Sequence, residues 1–141
     1  MSDRTLRLAV VTVAVAGTAV SAYLTYVHYN PAALVCTRGG GCETVQHSHY
    51  ATLLGIPVAV YGTVVWVAVL GLALIDSELA WTLVAAISAA ALAFAAYLIL
   101  LQLTVIHAVC WWCMAHDTVL VPALAVLTGL RVLRGPSSSE R

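Results

Sequence analysis

Four long apolar runs separated by short polar breaks set the pattern of this chain. The first extends from Leu6 to about Tyr29 and is preceded by Arg4 and Arg7. The others cover residues 57–75, 79–103 and 113–133. Crossing the hydrocarbon core of a bilayer takes about 20 helical residues at ~1.5 Å each, and these runs are of that order. Lipid offers no water to unpaired backbone groups, so each run is expected as a helix. The predicted fold class is all-α: a polytopic membrane protein whose four transmembrane helices bundle into a single domain over residues 1–141.

The breaks define the connections. Asp76-Ser77-Glu78 is short enough to force the second and third helices to be antiparallel neighbours. Alanines at 85–86, 89–91 and 95–96 suit close helix approach in lipid. The one extended polar region is residues 30–55, opened by the helix-breaking pair Asn30-Pro31 and made pliant by Gly39-Gly40-Gly41. Within it, Glu43 to His49 predicts a short amphipathic helix on the membrane surface. Pro57 fits the first turn of the second span. A cleavable signal peptide competes for the first run, because Val20-Ser21-Ala22 resembles a small-residue cleavage site. The run exceeds the ~7–15 residues of a signal core, however, and Tyr23, Tyr26 and Tyr29 suit an interfacial belt.

Composition agrees with the pattern. Of 141 residues, 62% are hydrophobic and 9% charged, against roughly 45–50% and about 25% in soluble domains. Mean hydropathy is +0.99. The formal net charge is zero, which gives no reason to expect a nucleic-acid partner. Charge also orients the chain. Four crossings put both termini on one side, with Arg4, Arg7, Arg131, Arg134 and Arg141, whereas the long loop holds only Arg38. The positive-inside rule predicts cytoplasmic termini. The loop and the stretch before the fourth span then share the extracytoplasmic face.

That topology gathers the chain's four cysteines. Cys36 and Cys42 lie in the loop, and Cys110-Trp111-Trp112-Cys113 precedes the fourth span. Two dithiols on an oxidising face can exchange electrons through mixed disulfides. Cys113 is expected to begin a helix whose N-terminal dipole favours a thiolate, and Cys110 to face the aqueous side. A relay would run from an external reduced protein to Cys36/Cys42, then to Cys110/Cys113, and end on a two-electron acceptor within the bilayer. A lipid-soluble quinone of menaquinone or ubiquinone type fits that description.

Blander readings stand beside this one. The cysteines could form two static disulfides, or bind metal with His47, His49, His107 and His116 in a structural membrane subunit. Zinc has no evident task at this surface, so no metal is expected. Haem attachment is excluded because Met114, not histidine, follows Cys113. His107 and the shallow intramembrane pair His116-Asp117 are candidates for proton handling. Trp111, Trp112, Tyr61 and Trp66 could line an acceptor pocket or simply belong to membrane-interface and span packing.

Together, Cys36-x5-Cys42, Glu43-Thr44-Val45-Gln46-His47-Ser48, Ala51-Thr52-Leu53-Leu54-Gly55-Ile56-Pro57-Val58-Ala59 and the late C-x-x-C resemble the bacterial and archaeal branch of the vitamin K epoxide reductase family. The resemblance implies a four-helix bundle around a quinone pocket. By motif position, Cys113 would reduce the quinone, Cys110 would take electrons from Cys42, and Cys36 would receive them from a thioredoxin-like or DsbA-like protein. Ser48 matches the loop Ser/Thr that helps hold the site, while Trp112 and Tyr61 remain candidate pocket residues. Many bacterial relatives carry a fused thioredoxin-like domain; this chain stops at Arg141, so a separate partner is expected. Asp117 stands where the animal enzymes have a quinone-contacting tyrosine, which favours dithiol oxidation over epoxide reduction. The unrelated DsbB-type oxidases carry their two cysteine pairs in the reverse order.

Overall fold

The computed structural model describes residues 1–36 and 40–135. Helix α1 covers Asp3–Tyr29. It starts three residues before the apolar run because Ser2 Oγ caps the Thr5 N–H at 3.2 Å and Asp3 complements the helix dipole. It stops at Asn30, ahead of Pro31. A one-turn helix α2, Cys42–Gln46, follows in the loop. A two-stranded hairpin of Thr52–Leu53 (β1) and Ile56–Pro57 (β2) then leads into α3, Val58–Ile75. Helix α4 spans Glu78–Leu101 and continues as a π turn, Gln102–Ile106. The last crossing is composite: α5 (Trp111–Ala115), a π segment (His116–Leu120) and α6 (Val121–Leu133). These make four helices long and apolar enough to cross a membrane, so the chain is a multi-pass membrane protein with an all-α bundle fold.

Three local expectations are corrected. The loop helix is shorter than Glu43 to His49: it ends at Gln46, and a separate 3-10 turn follows at His49–Ala51. Pro57 precedes α3 as its cap rather than lying in its first turn. Cys113 does not open the last crossing; Cys110 is the N-cap, and α5 starts at Trp111.

Helix α1 buries one stripe, Leu6, Val10, Ala14, Gly17, Ser21, Leu24 and Val27, at the spacing of a helix face. It packs on α3 and α6, while α4 packs on α6 and α3. The core gathers Val10, Ala14, Trp66, Val69, Trp81, Val84, Val121 and Leu124. Trp66 is therefore a core residue, 3% exposed, and not an interfacial one. Between α4 and α6, Ser88 Oγ and Thr128 Oγ1 lie 2.9 Å apart in a hydrogen bond shielded from water.

The two ends of the bundle differ in chemistry. At one end, Arg7 crosses to the C-terminus of α3, donating to Ala73 O, Leu74 O and Asp76 Oδ2 at 3.1, 2.8 and 3.2 Å. Those carbonyls are left over by the helix, and the cation meets its negative dipole end. Arg131 pairs with Glu78 at 2.9 Å and lies 5.5 Å over the Trp81 ring. Arg134 Nη1 donates to Met1 O, so the start of the chain and the end of α6 meet here. The cysteines occupy the opposite end. Of the arginines used to orient the chain, Arg38 and Arg141 lie outside the described residues.

Close approach of α1 and α3 depends on glycine. A Cβ on Gly17 would overlap the Trp66 indole, and one on Gly62 would sit 3.2 Å from Ser21 Oγ. Gly17→Val is expected to lower the thermal unfolding midpoint in detergent, since overpacking typically costs about 1–3 kcal/mol. Gly71→Ala is the control, with nothing within 4 Å of the added methyl. It should be neutral or stabilising. Equal melting temperatures for the two variants would refute this account of the interface.

Candidate functional site

The loop and the approach to α5 form one compact end of the molecule. Cys36 and Cys42 are disulfide-bonded with Cα atoms 6.2 Å apart, and Cys110 and Cys113 likewise at 5.2 Å. What joins the two rings is a backbone hydrogen bond: Gly41 N–H donates to Val109 O at 2.9 Å. Each of these residues immediately precedes a cysteine, Cys42 and Cys110 respectively. The approach is tight, because a Cβ on Gly41 would lie 2.6 Å from Ala108 Cβ. Glycine is needed at position 41 so that the two backbones can touch.

Burial grades the four sulfurs. Cys42 and Cys110 are fully buried, while Cys36 and Cys113 are half-buried. The expectation that Cys110 faces the aqueous side is therefore corrected. Its surroundings explain the burial. The Cys110 N–H donates to Gln102 Oε1 at 2.9 Å, and Cys110 Sγ accepts from the Cys113 N–H at 3.3 Å. The π turn at Gln102–Ile106 and the left-handed His107 (φ 52°) fold the chain back far enough to make the first bond.

Cys113 opens onto a cavity of about 470 Å³, within the range of small-molecule sites. The walls come from all four crossings and α2 and are mostly aliphatic or aromatic. Ser48, Tyr61, His116 and Asp117 line it as well. Each polar group among them has a partner. Ser48 Oγ donates to Val45 O at 2.8 Å, and Tyr61 Oη to Leu53 O at 3.1 Å. Trp66 Nε1 donates to His116 Nε2 at 2.7 Å, and His116 Nδ1 lies 2.8 Å from Asp117 Oδ1. Because Nε2 accepts from the indole, the imidazole proton belongs on Nδ1, where it is donated to Asp117. Asp117 is 5% exposed, so this pairing keeps a carboxyl in an otherwise apolar wall.

Trp112 is elsewhere. It is not among the cavity's residues; its Nε1 donates to Val35 O at 2.7 Å and its ring lies 5.1 Å from Tyr23. The Tyr23 hydroxyl accepts from Val35 N–H at 2.9 Å, so the two rings strap down the segment leading to Cys36. The expected role of Trp112 as a cavity residue is corrected accordingly. His107 is exposed and also lies outside the cavity wall. Among the described residues, no three His, Cys, Asp or Glu side chains cluster as a metal site.

Gln46 and Gln102 also line the cavity, a placement not expected from the sequence. Gln102 carried a readable signal, a carboxamide inside an apolar span. Gln46 lies within the loop motif Glu43 to Ser48, but a glutamine in a polar loop does not read as a cavity residue until α2 turns it inward.

These features fit one family. The vitamin K epoxide reductase family model matches residues 8–128, a stretch that includes both cysteine pairs, the loop between α1 and α3, and the cavity residues. The chain belongs to the vitamin K epoxide reductase family, and is thus a membrane oxidoreductase with paired cysteines.

Proposed function

We propose that this oxidoreductase makes disulfides in an extracytoplasmic thioredoxin-like or DsbA-like protein and delivers the electrons to a membrane quinone. The bundle acts as one domain, with its arginine-rich end in the cytoplasm and its cysteines at the opposite membrane face. The observation that carries the reading is the Gly41–Val109 hydrogen bond, which abuts the loop dithiol and the C-x-x-C pair.

The chemistry balances as a sequence of exchanges. A partner thiolate attacks Cys36, and the partner's second thiol resolves the mixed disulfide, leaving Cys36 and Cys42 reduced and the partner oxidised. The Cys42 thiolate then attacks Cys110, breaking the Cys110–Cys113 bond and freeing Cys113 at the cavity. Cys36 resolves the Cys42–Cys110 link and restores the loop disulfide. Cys113 and Cys110 finally become a disulfide again as two electrons and two protons leave for the quinone, which departs as hydroquinone. Only the chain's half-buried sulfurs face outside reagents: Cys36 meets the partner and Cys113 the acceptor. The fully buried sulfurs pass electrons between them.

The cavity fits a quinone head group in size and apolarity, and it opens among helices that would face lipid. Ser48 fixes the end of α2 through Val45 O, and Tyr61 fixes the hairpin through Leu53 O; both set the cavity's rim. His116 and Asp117, one turn beyond Cys113, are placed to carry the thiol protons toward the acceptor. A positioned acid–base group typically contributes roughly 100-fold or more.

Two measurements test this reading. Purified protein supplied with a reduced thioredoxin-like substrate and a short-chain quinone should reduce the quinone, and Cys113→Ala should abolish it. Unchanged turnover in that variant would refute the assigned route. In Asp117→Asn, quinone reduction should fall at least tenfold while partner-driven reduction of the Cys110–Cys113 disulfide, followed by alkylation, stays near the parent rate. Equal loss in both half-reactions would assign Asp117 to folding instead.

A further inference from the structure

Two aromatic rings tie the cysteine pairs together on the Cys36 side, as Gly41 and Val109 do on the Cys42 side. Val35, the residue before Cys36, accepts from Trp112 Nε1 at its carbonyl (2.7 Å) and donates its N–H to the Tyr23 hydroxyl (2.9 Å). Tyr23 Oη also donates to Ala33 O at 3.4 Å. Packing does little for this segment, because the Val35 side chain is 70% exposed. Among the described residues, its other backbone hydrogen bonds are local turns between Asn30 and Leu34. Apart from the disulfide at Cys36, the two rings are therefore what anchors it to the bundle.

Trp112 is itself enclosed by the Cys110–Cys113 ring. A side chain of one dithiol motif thus holds the backbone beside the other dithiol.

That placement matters at one step of the relay. Once Cys42 is linked to Cys110, two sulfurs compete to break the link. Cys113 can attack Cys110 and send the electrons back, and its N–H already donates to Cys110 Sγ at 3.3 Å. Cys36 must attack Cys42 to send them forward. The Cys36–Cys42 bond then forms, the Cys42–Cys110 bond breaks, and Cys110 leaves as a thiolate that takes up a proton. The number of disulfides is unchanged, so no outside oxidant is needed. What decides the competition is how closely Cys36 is kept to Cys42.

We propose that Trp112 is a positioning residue that, with Tyr23, keeps Cys36 within reach of Cys42 and so drives resolution of the Cys42–Cys110 link forward. The inference deepens the relay reading above and rests on it.

The test uses the full chain in detergent carrying Cys113→Ser, which removes the competing sulfur. With one disulfide shared among the three remaining cysteines, two forms interconvert: Cys36–Cys42 with a free Cys110, and Cys42–Cys110 with a free Cys36. Acid quenching, alkylation and peptide mapping give their ratio. Adding Trp112→Phe keeps a ring against Tyr23 and removes the N–H. It should raise Cys42–Cys110 relative to Cys36–Cys42 roughly 3- to 10-fold, the range for one net hydrogen bond, with the melting temperature near that of the background. Tyr23→Phe, which removes the partner of the Val35 N–H, should shift the ratio the same way. An unchanged or opposite ratio in Trp112→Phe overturns the inference, and a shift confined to Tyr23→Phe overturns the part given to Trp112. Loss of fold in Trp112→Phe would assign the indole N–H to stability and overturn it too. If Cys42–Cys110 stays undetectable in all these forms but appears once Cys36 is also replaced by serine, the inference falls and the relay stands. If it is absent even then, the relay itself falls.

Discussion

The hydrogen bond from Gly41 N–H to Val109 O, made at a distance only a glycine permits, fixes how the long loop meets the last crossing. Each partner in that bond is followed at once by a buried cysteine, so the bond also sets where Cys42 lies relative to Cys110. The remaining structure supports this junction. The π turn after α4 brings Gln102 to the Cys110 N–H, and Trp112 with Tyr23 holds the segment before Cys36. Loosening any of these would separate two dithiols that lie about seventy residues apart in sequence while leaving the bundle itself intact.

The interior of the bundle follows a different rule. Lipid rewards close packing and punishes unpaired polar groups, so small residues and reciprocal hydrogen bonds carry the helix contacts. Gly17 admits Trp66 to the core, and Trp66 in turn spends its N–H on His116, whose other nitrogen pairs with Asp117. A packing contact between α1 and α3 thereby orients the His116–Asp117 pair, the proposed proton carrier, in the wall of the cavity onto which Cys113 opens. The packing of the bundle and the proposed chemistry share these residues. A variant at Gly17 would therefore be expected to disturb the site through Trp66 without touching a cysteine.

Much of the frame was legible in the sequence because lipid leaves few options for a long apolar run. The four spans, the antiparallel turn at Asp76-Ser77-Glu78 and the gathering of the cysteines at one end all follow from length, polarity and charge. Boundaries near the site were less legible. Cys110 reads as an aqueous-facing residue until the π turn folds Gln102 under it, and π turns leave no mark in a hydrophobic pattern. Trp112 reads as a pocket residue because aromatic rings beside a C-x-x-C suit both tasks; only the position of Val35 O decides between them. Gln46, although part of the loop motif, does not read as a cavity residue for the same reason, since its burial depends on which way a five-residue helix turns.

The central claim is that the two cysteine pairs form one relay through Cys42 and Cys110. The most direct measurement is peptide mapping of disulfides in the Cys36→Ser, Cys113→Ser double variant, which removes both resolving sulfurs. A Cys42–Cys110 disulfide should then form in high yield on mild oxidation and disappear on reduction. If Cys42 and Cys110 remain separate thiols while the protein stays folded, the pairs do not exchange electrons in this way, and the relay is contradicted.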